Sequence, residues 1–290
     1  MIKKISILII LLFSIVSFSQ TQIKVVDAEN KKPIPYAKLI LQGKDYYKNT
    51  EENGEAALEK GENIYEIESF GYEKMNVSKQ ETTYSLHPKF QEIEGVEIAK
   101  PKFTEAFTSG SVKKDNFGFM GTKISWSVID FFENNFAHEK IFIKKIKIPT
   151  DVKDRKTDAV FNLVFYENID GKPAPEKFKN IIVTCKKGKN LTEIDFSKNP
   201  VTFPREGIFI GIEWIINEQN HYLDKVTKMN LDGSKEKNVI VDRTNPFFFG
   251  YESKDSTVFG KSQNNWYKIF NHKGNIVSPH KLSLELELTN

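Results

Sequence analysis

Runs of alternating apolar and polar residues, with a period of two, recur along this chain. In the C-terminal segment, polar residues separate four leucines, Leu282, Leu284, Leu286 and Leu288. A period of two puts apolar side chains on one face of a β-strand and polar side chains on the other. The sequence has no convincing long segment with the 3.6-residue period of an amphipathic helix. The pattern therefore predicts an all-β protein with antiparallel sheets.

Three further segments refine this prediction for the C-terminal part of the chain. Residues 159–166 are apolar at nearly every position, as expected for a central strand, and apolar residues recur at every second position of 208–216. Residues 141–148 alternate but change phase at Lys144 and Lys145, which predicts a β-bulge. We expect residues 121–290 to form a larger, jelly-roll-like antiparallel β-sandwich.

Shorter strands separated by turn residues follow one another through residues 20–88, which predicts a small β-sandwich. The predicted strands are residues 23–26, 37–41, 63–69 and 82–86. Asn53 and Gly54 both tolerate positive φ, so this pair predicts a two-residue hairpin turn. Residues 89–120 are expected to be a connecting strand, at 91–100, followed by a polar linker.

The first nineteen residues have the pattern of a secretory signal peptide. Lys3 and Lys4 precede an apolar run, and Ser17 and Ser19 are suited to cleavage before Gln20. The apolar run has about twelve residues, whereas a membrane span needs roughly twenty. We therefore expect export to the periplasm, the outer-membrane periphery or the cell surface, without an integral membrane span after cleavage. An uncleaved membrane anchor is the alternative.

Charge and cysteine content restrict the classes of partner. The net charge of +3 falls by two when Lys3 and Lys4 are removed. A nearly neutral chain lacks the positive surface of a nucleic-acid-binding protein. A single cysteine, Cys185, excludes an internal disulfide. Because Cys185 alternates with Ile181 and Val183, we expect a buried, unreactive thiol.

Five short motifs in residues 20–88 occur in a characteristic order, namely Val25-Val26-Asp27, residues 32–37, residues 50–54, Phe70-Gly71-Tyr72 and Leu86-His87-Pro88. This set resembles the carboxypeptidase-D regulatory-like family, a small, seven-stranded, prealbumin-like sandwich common in exported proteins of the Bacteroidetes type. The family name refers to a domain beside a peptidase, so the resemblance implies no peptidase activity. The C-terminal region is similar to uncharacterised β-sandwich regions of the same class of exported proteins, which adds architecture only.

The sequence contains no convincing catalytic or metal-binding motif. His138-Glu139 begins like a zinc-protease motif, but Phe142 stands where the second histidine is needed. Residues 228–233 resemble a calcium loop without its first acid or its closing glutamate. The companion motifs of serine hydrolases are also missing. We therefore expect no catalytic residue, no metal and no cofactor.

Four residues are candidates for ligand binding. Glu213 follows strongly apolar positions, so it is either a desolvated acid or a strand residue that faces solvent or pairs with a lysine. Asn265, Trp266 and Tyr267 lie in a polar stretch, where exposed rings stack on sugars and amides bond to hydroxyl groups. The alternative for these aromatic rings is packing in the core.

These observations predict a non-enzymatic, exported binding or envelope-assembly protein. Its partner would be a glycan, a peptide or an envelope protein, and its oligomeric state stays open. One alternative is a carbohydrate-active hydrolase on the C-terminal sandwich, which requires two suitably spaced carboxyl groups. Another is an accessory protein that docks to an outer-membrane transporter through an edge strand.

Overall fold

A computed structural model describes residues 20–290 except 45, 90–100, 103, 116, 125, 154–156, 231, 256, 263–264 and 270–279. The signal peptide expected at 1–19 and the connecting strand expected at 91–100 lie outside the described residues. Among the described residues every regular element is a β-strand, which confirms the all-β fold class. No described helix has the length and apolar character needed to cross a membrane.

The chain divides into two compact units: the smaller contains the described residues before 90 except 46 and 47, and the larger contains the described residues from 101 onward together with 46 and 47. The smaller unit has seven strands: β1 (Thr21–Asp27), β2 (Lys38–Leu41), β3 (Tyr47–Asn49), β4 (Glu55–Leu58), β5 (Ile64–Glu68), β6 (Met75–Asn76) and β7 (Thr83–Leu86). They form two sheets, in the orders β4-β1-β7 and β3-β2-β5-β6. Strand β1 pairs antiparallel with β4 and parallel with β7. The smaller predicted sandwich is therefore present.

Alternating residues of these strands form the core of the smaller unit. Ile23, Val25, Leu39, Ile67 and Leu86 are almost completely buried. Burying an aliphatic side chain of this size stabilises the fold by roughly 1.5–3 kcal/mol relative to exposure. The apolar positions of the alternating sequence pattern are therefore the positions whose side chains face inward.

Polar residues of the five N-terminal motifs are bonded to one another or to the adjacent backbone. The hydroxyl of Tyr72 donates a hydrogen bond to Asp27 Oδ2 over 3.0 Å. The hydroxyl of Thr50 donates to the carbonyl of Ile34 over 3.1 Å and accepts from the backbone N–H of Ala37 over 2.8 Å. These bonds satisfy polar groups at the ends of strands.

The turn at Asn53-Gly54 differs from its prediction. Gly54 has a positive φ of 74°, as a tight turn requires, and its carbonyl accepts a hydrogen bond from Val25 N–H. However, the turn joins β3 to β4, which belong to different sheets. The prediction of a two-residue hairpin is therefore wrong. A local turn signal specifies the reversal of the chain, whereas the pairing of the flanking strands depends on the rest of the sandwich.

The larger unit contains sixteen strands in two antiparallel sheets. They are β8 (Ala106–Ser111), β9 (Gly118–Gly121), β10 (Ser127–Phe132), β11 (Ile141–Val152), β12 (Ala159–Ile169), β13 (Lys172–Pro173), β14 (Lys179–Cys185), β15 (Gly188–Asp195), β16 (Val201–Phe203), β17 (Ile208–Trp214), β18 (His221–Met229), β19 (Lys235–Glu252), β20 (Phe259–Ser262), β21 (Asn265–Lys268), β22 (His280–Leu282) and β23 (Leu284–Thr289). Strands β8 and β9 come from the segment that the sequence assigned to the connection.

Seven of these strands form one sheet in the order β13-β12-β17-β10-β20-β21, with β14 beside β12. Nine form the other, in the order β18-β19-β11-β23-β8, with β15 and β16 beside β11 and with β9 and β22 beside β19. A common apolar core lies between the two sheets. The larger predicted sandwich is therefore present.

Several sequence patterns correspond directly to features of this core. The four alternating leucines of the C-terminal segment are all buried, and residues 159–166 are buried on both faces of β12. The register of β11 with β23 shifts between Ile143 and Lys145, which confirms the predicted β-bulge. Trp214 is also buried, stacks on Trp126 and donates its indole N–H to the carbonyl of Pro246.

Candidate ligand-binding surface

The seven-stranded sheet has a second face, turned away from the common core, that carries Glu213 and Trp266. Strand registers place Glu213 beside Ser127, Ser127 beside Lys261, and Lys261 beside Trp266. Directly paired residues project from the same face of a sheet. We call this second face the outer face; its first row of side chains is therefore mostly polar.

Behind the polar row, the outer face has a small apolar cluster. It consists of Ile129, Val164, Tyr166, Phe209 and Phe259, with Phe131 and Trp266 packed against it. A sheet with apolar side chains on both faces needs cover on both faces. Among the described residues, part of this cover comes from the same sheet and part from one of its connections.

The hairpin of β20 and β21 curls over the outer face and provides part of this cover. Strand β21 is four positions from β12 in the sheet, which corresponds to about 19 Å in a flat sheet. Nevertheless, the rings of Trp266 on β21 and Tyr166 on β12 lie edge to face, with centroids 4.9 Å apart. The sheet must therefore curve strongly between these two strands.

The connection between β13 and β14 supplies further cover. We call residues 174–178 the covering segment. The indole N–H of Trp266 donates to the carbonyl of Ala174 over 3.2 Å, and Lys261 Nζ donates to the carbonyl of Pro175 over 2.9 Å. Lys261 also lies 5.1 Å from the ring centroid of Trp266, within cation–π range. These contacts fix the curled hairpin against the covering segment.

Glu213 is also bonded to the covering segment. Its side chain is 7% exposed, and Lys177 Nζ lies 2.8 Å from its Oε2. A carboxylate and an ammonium group at this distance form a charge-assisted hydrogen bond. The geometry at Glu213 therefore suits a structural ion pair.

Asn265 and Tyr267 lie on the other face of the hairpin. They alternate with Trp266 along β21, and both are exposed. Tyr267 pairs directly with Gly260, and an added Cβ at Gly260 would lie 2.6 Å from Cζ of Tyr267. The ring therefore lies against the backbone of Gly260 while 43% of the residue stays exposed. The four candidate residues thus divide between a covered face, with Glu213 and Trp266, and an exposed face, with Asn265 and Tyr267.

Burial raises the pKa values of two other groups, the thiol of Cys185 and the carboxyl of Asp130. Burial raises the pKa of the Cys185 thiol to about 12, and the thiol donates to the carbonyl of Ala159 over 3.4 Å. The expectation of a buried cysteine is confirmed. Burial also raises the pKa of Asp130, whose carboxylate oxygen accepts from the hydroxyl of Thr257 and the backbone N–H of Phe131.

His138 pairs with Glu105, with 3.2 Å between Nε2 and Oε2. Within the part of the chain that the structure describes, no three His, Cys, Asp or Glu side chains are grouped as a metal site would require.

Sequence reasoning missed Lys177, Lys261 and Gly260 as contributors to this surface. The two lysines reach their partners across strands far apart in the sequence, and no local pattern marks such contacts. The sequence does contain a weak indication for Gly260, because a glycine inside a strand often marks a place where another group approaches the backbone closely. Here that group is the ring of Tyr267, on the next strand.

No protein-family model matches the chain, and no curated protein matches it. The solved structures that show distant similarity include the following two. The clostridial cysteine protease Cwp84 after propeptide cleavage has a TM-score of 0.41 and 10% identity over 66% of this chain. The cysteine protease and lectin-like domains of Cwp84, a surface layer associated protein of Clostridium difficile, have a TM-score of 0.36 and 11% identity over 61% of this chain. The matches span 42% and 37% of those proteins. At these TM-scores neither neighbour supports an inference about function.

Proposed function

We propose that the protein is an exported, non-enzymatic binding protein of the cell envelope, and that the exposed face of the β20–β21 hairpin contacts a glycan. The observation that carries the proposal is the accessible ring of Tyr267, held against Gly260. The apolar C–H face of a sugar packs on such a ring. The exposed amide of Asn265 lies on the same face of β21 and offers both a donor and an acceptor to hydroxyl groups.

The covered face supports the proposal because its contacts attach the hairpin to the covering segment. Trp266 and Lys261 attach the hairpin to the covering segment, and Lys177 attaches that segment to Glu213. A preorganised surface loses less entropy on binding than a mobile one. In this proposal, Glu213 and Trp266 act through the position of the hairpin, while Asn265 and Tyr267 contact the ligand.

The proposal of export rests on the signal-peptide pattern of residues 1–19. The smaller unit is proposed to be a regulatory-like module that serves as structural support or as a docking module. Its motif residues fit a supporting role, because Asp27 bonds with Tyr72 and Thr50 bonds with Ile34 inside the unit. A structural role of this kind requires no catalytic group.

Affinity electrophoresis of the chain from residue 20 to residue 290 tests the proposed function. The gels would contain xylan, mannan, laminarin, hydroxyethylcellulose or soluble peptidoglycan fragments. We expect at least one of these to retard the wild-type protein and to retard Tyr267→Ala less. The matched control is Tyr65→Ala, which removes another exposed tyrosine from the smaller unit. Unchanged migration of the wild-type protein in every gel would reject the glycan proposal.

A further inference from the structure

At one edge of the nine-stranded sheet, β18 and residues 235–243 of β19 form a two-stranded arm. Among the described residues, β18 pairs only with β19, and residues 235–243 of β19 pair only with β18. Leu223 and Met229 on β18 are 64% and 67% exposed. Two-stranded ribbons are marginally stable in water without further cover. The arm therefore has open edges and exposed apolar side chains that another strand could cover.

The two edges of the arm differ in how well they could accept a strand. Between Val226 and Lys228 the register with β19 shifts, and the extra residue lies on β19, where Asn238 has a φ of 61°. A bulge of this kind disrupts the ladder and blunts the edge. Strand β18 itself has no bulge. Its open edge is therefore better suited to pairing with another strand than the edge of β19.

The sequence of β18 is complementary to itself when two copies run antiparallel. With Val226 opposite Val226 of a second copy, Asp224 is opposite Lys228 at two symmetric positions. The same register places Leu223 opposite Met229, so the two most exposed apolar side chains of the strand cover each other. Opposite charges and apolar pairs in direct opposition stabilise neighbouring strands.

The neighbouring symmetric registers lack this complementarity. In an antiparallel pair of strands, directly opposed residues lie on the same face of the sheet. When the two strands are identical copies related by a two-fold axis, one residue must therefore lie opposite its own copy at the axis. Centring on Lys225 or on Asp224 opposes two like charges at the axis. Centring on Thr227 opposes Val226 with Lys228 and forms no ion pair. The charge pattern thus selects the register centred on Val226.

We propose that the edge of β18 is a docking site for a second copy of this chain, forming a two-fold dimer with Val226 at the axis. The two arms then join into a four-stranded ribbon, and the backbone groups on the open edge of β18 gain partners. This inference is independent of the proposed glycan contact, because the arm and the β20–β21 hairpin belong to different sheets.

Sedimentation of the chain from residue 20 to residue 290 tests the dimer. We expect a concentration-dependent dimer for the wild-type protein. In Asp224→Lys and in Lys228→Asp, two attractive pairs become two repulsive ones, so each variant alone should dimerise at least about tenfold more weakly. An equimolar mixture of the two variants should dimerise again, because each Lys of one variant then faces an Asp of the other. Lys237→Asp, on β19, is the control that should leave the dimer unchanged.

Disulfide trapping tests the register and does not depend on a charge change. In Val226→Cys the two cysteines would be directly opposite, within the range that a disulfide spans. Val239→Cys, its partner on β19, would be about 14 Å from its symmetry mate. We expect covalent dimers from the first variant and not from the second. A wild-type monomer at all concentrations, or equal trapping of both variants, would overturn the proposal.

Discussion

The ring of Tyr267 lies against the backbone of Gly260, its direct partner on the neighbouring strand. Any side chain at position 260 would collide with the ring, since even a Cβ would lie 2.6 Å from Cζ of the tyrosine. An aromatic ring over a strand glycine covers the exposed backbone and is itself ordered by that contact. Tyr267 therefore combines exposure with a defined position, which is the basis of the proposed binding surface.

Trp266 is expected to contribute to the stability of the larger unit. In Trp266→Ala, the half-buried indole loses its packing on Tyr166 and its bond to Ala174, which should cost about 2–3 kcal/mol. Trp266→Phe retains much of the packing and should cost about 1 kcal/mol, chiefly for the lost N–H bond. Urea unfolding followed by circular dichroism measures both changes. Wild-type stability in Trp266→Ala would contradict the role assigned to the hairpin.

Glu213 and Lys177 are expected to be energetically coupled. Glu213→Gln or Lys177→Met removes one charge of a largely buried ion pair, which should cost about 1–3 kcal/mol. The double variant should cost less than the sum of the single variants, because it removes both charges together. Urea unfolding of the four proteins gives this double-mutant cycle. Additive losses would show that the ion pair has no structural role.

The smaller unit is expected to lose stability in acid through Glu62. Burial raises the pKa of this carboxyl, but hydrogen bonds from Lys48, from the backbone N–H of Glu59 and from Lys44 outweigh it and lower the pKa from 4.5 to about 2. Because the folded pKa is lowered, the stabilisation is present above pH 4.5 and is lost as the pH falls toward 2.

This contribution should be roughly 1–2 kcal/mol, since solvent screens the partly exposed lysines. Urea unfolding between pH 2 and pH 6 should show a weaker pH dependence in Glu62→Gln than in the wild-type protein. Glu52→Gln is the control, because Glu52 is an exposed carboxyl of the same unit that lies outside this network. Equal pH dependence of Glu62→Gln and wild type would exclude Glu62 as the titrating group.

Cys185 is expected to resist alkylation in the folded protein. Burial raises its pKa to about 12, so the thiolate is scarce at pH 8 and reagents reach it poorly. Iodoacetamide labelling followed by mass spectrometry should therefore be slow in buffer and should accelerate across the urea unfolding transition. Labelling of the native protein at the rate of a cysteine peptide would show that the site opens readily.

Local pattern was sufficient to predict much of the larger sandwich. The alternation at 282–288 is sufficient because a strand with one buried face has only one way to place its leucines. The change of phase at Lys144 and Lys145 identifies a bulge because one extra residue reverses the alternation. Both features depend only on residues close together in the chain.

The candidate surface could be predicted only in part. Asn265, Trp266 and Tyr267 stood out by composition, but the division between the two faces depends on the curl of the hairpin. That curl depends on Tyr166 and Ala174, about a hundred residues earlier. Similarly, the ion pair between Lys177 and Glu213 depends on how the covering segment, which contains Lys177, folds over the outer face. Contacts made by tertiary folding leave no periodic signal in one sequence.

Calorimetric titration with the polysaccharide that most retards the wild-type protein tests the central claim most directly. Tyr267→Phe keeps the ring over Gly260 and should bind nearly as well as the wild-type protein. Tyr267→Ala should bind at least about tenfold more weakly, as should Gly260→Ala, in which the added methyl displaces the ring. Wild-type affinity in a folded Tyr267→Ala variant would contradict the assignment of this ring as the glycan contact.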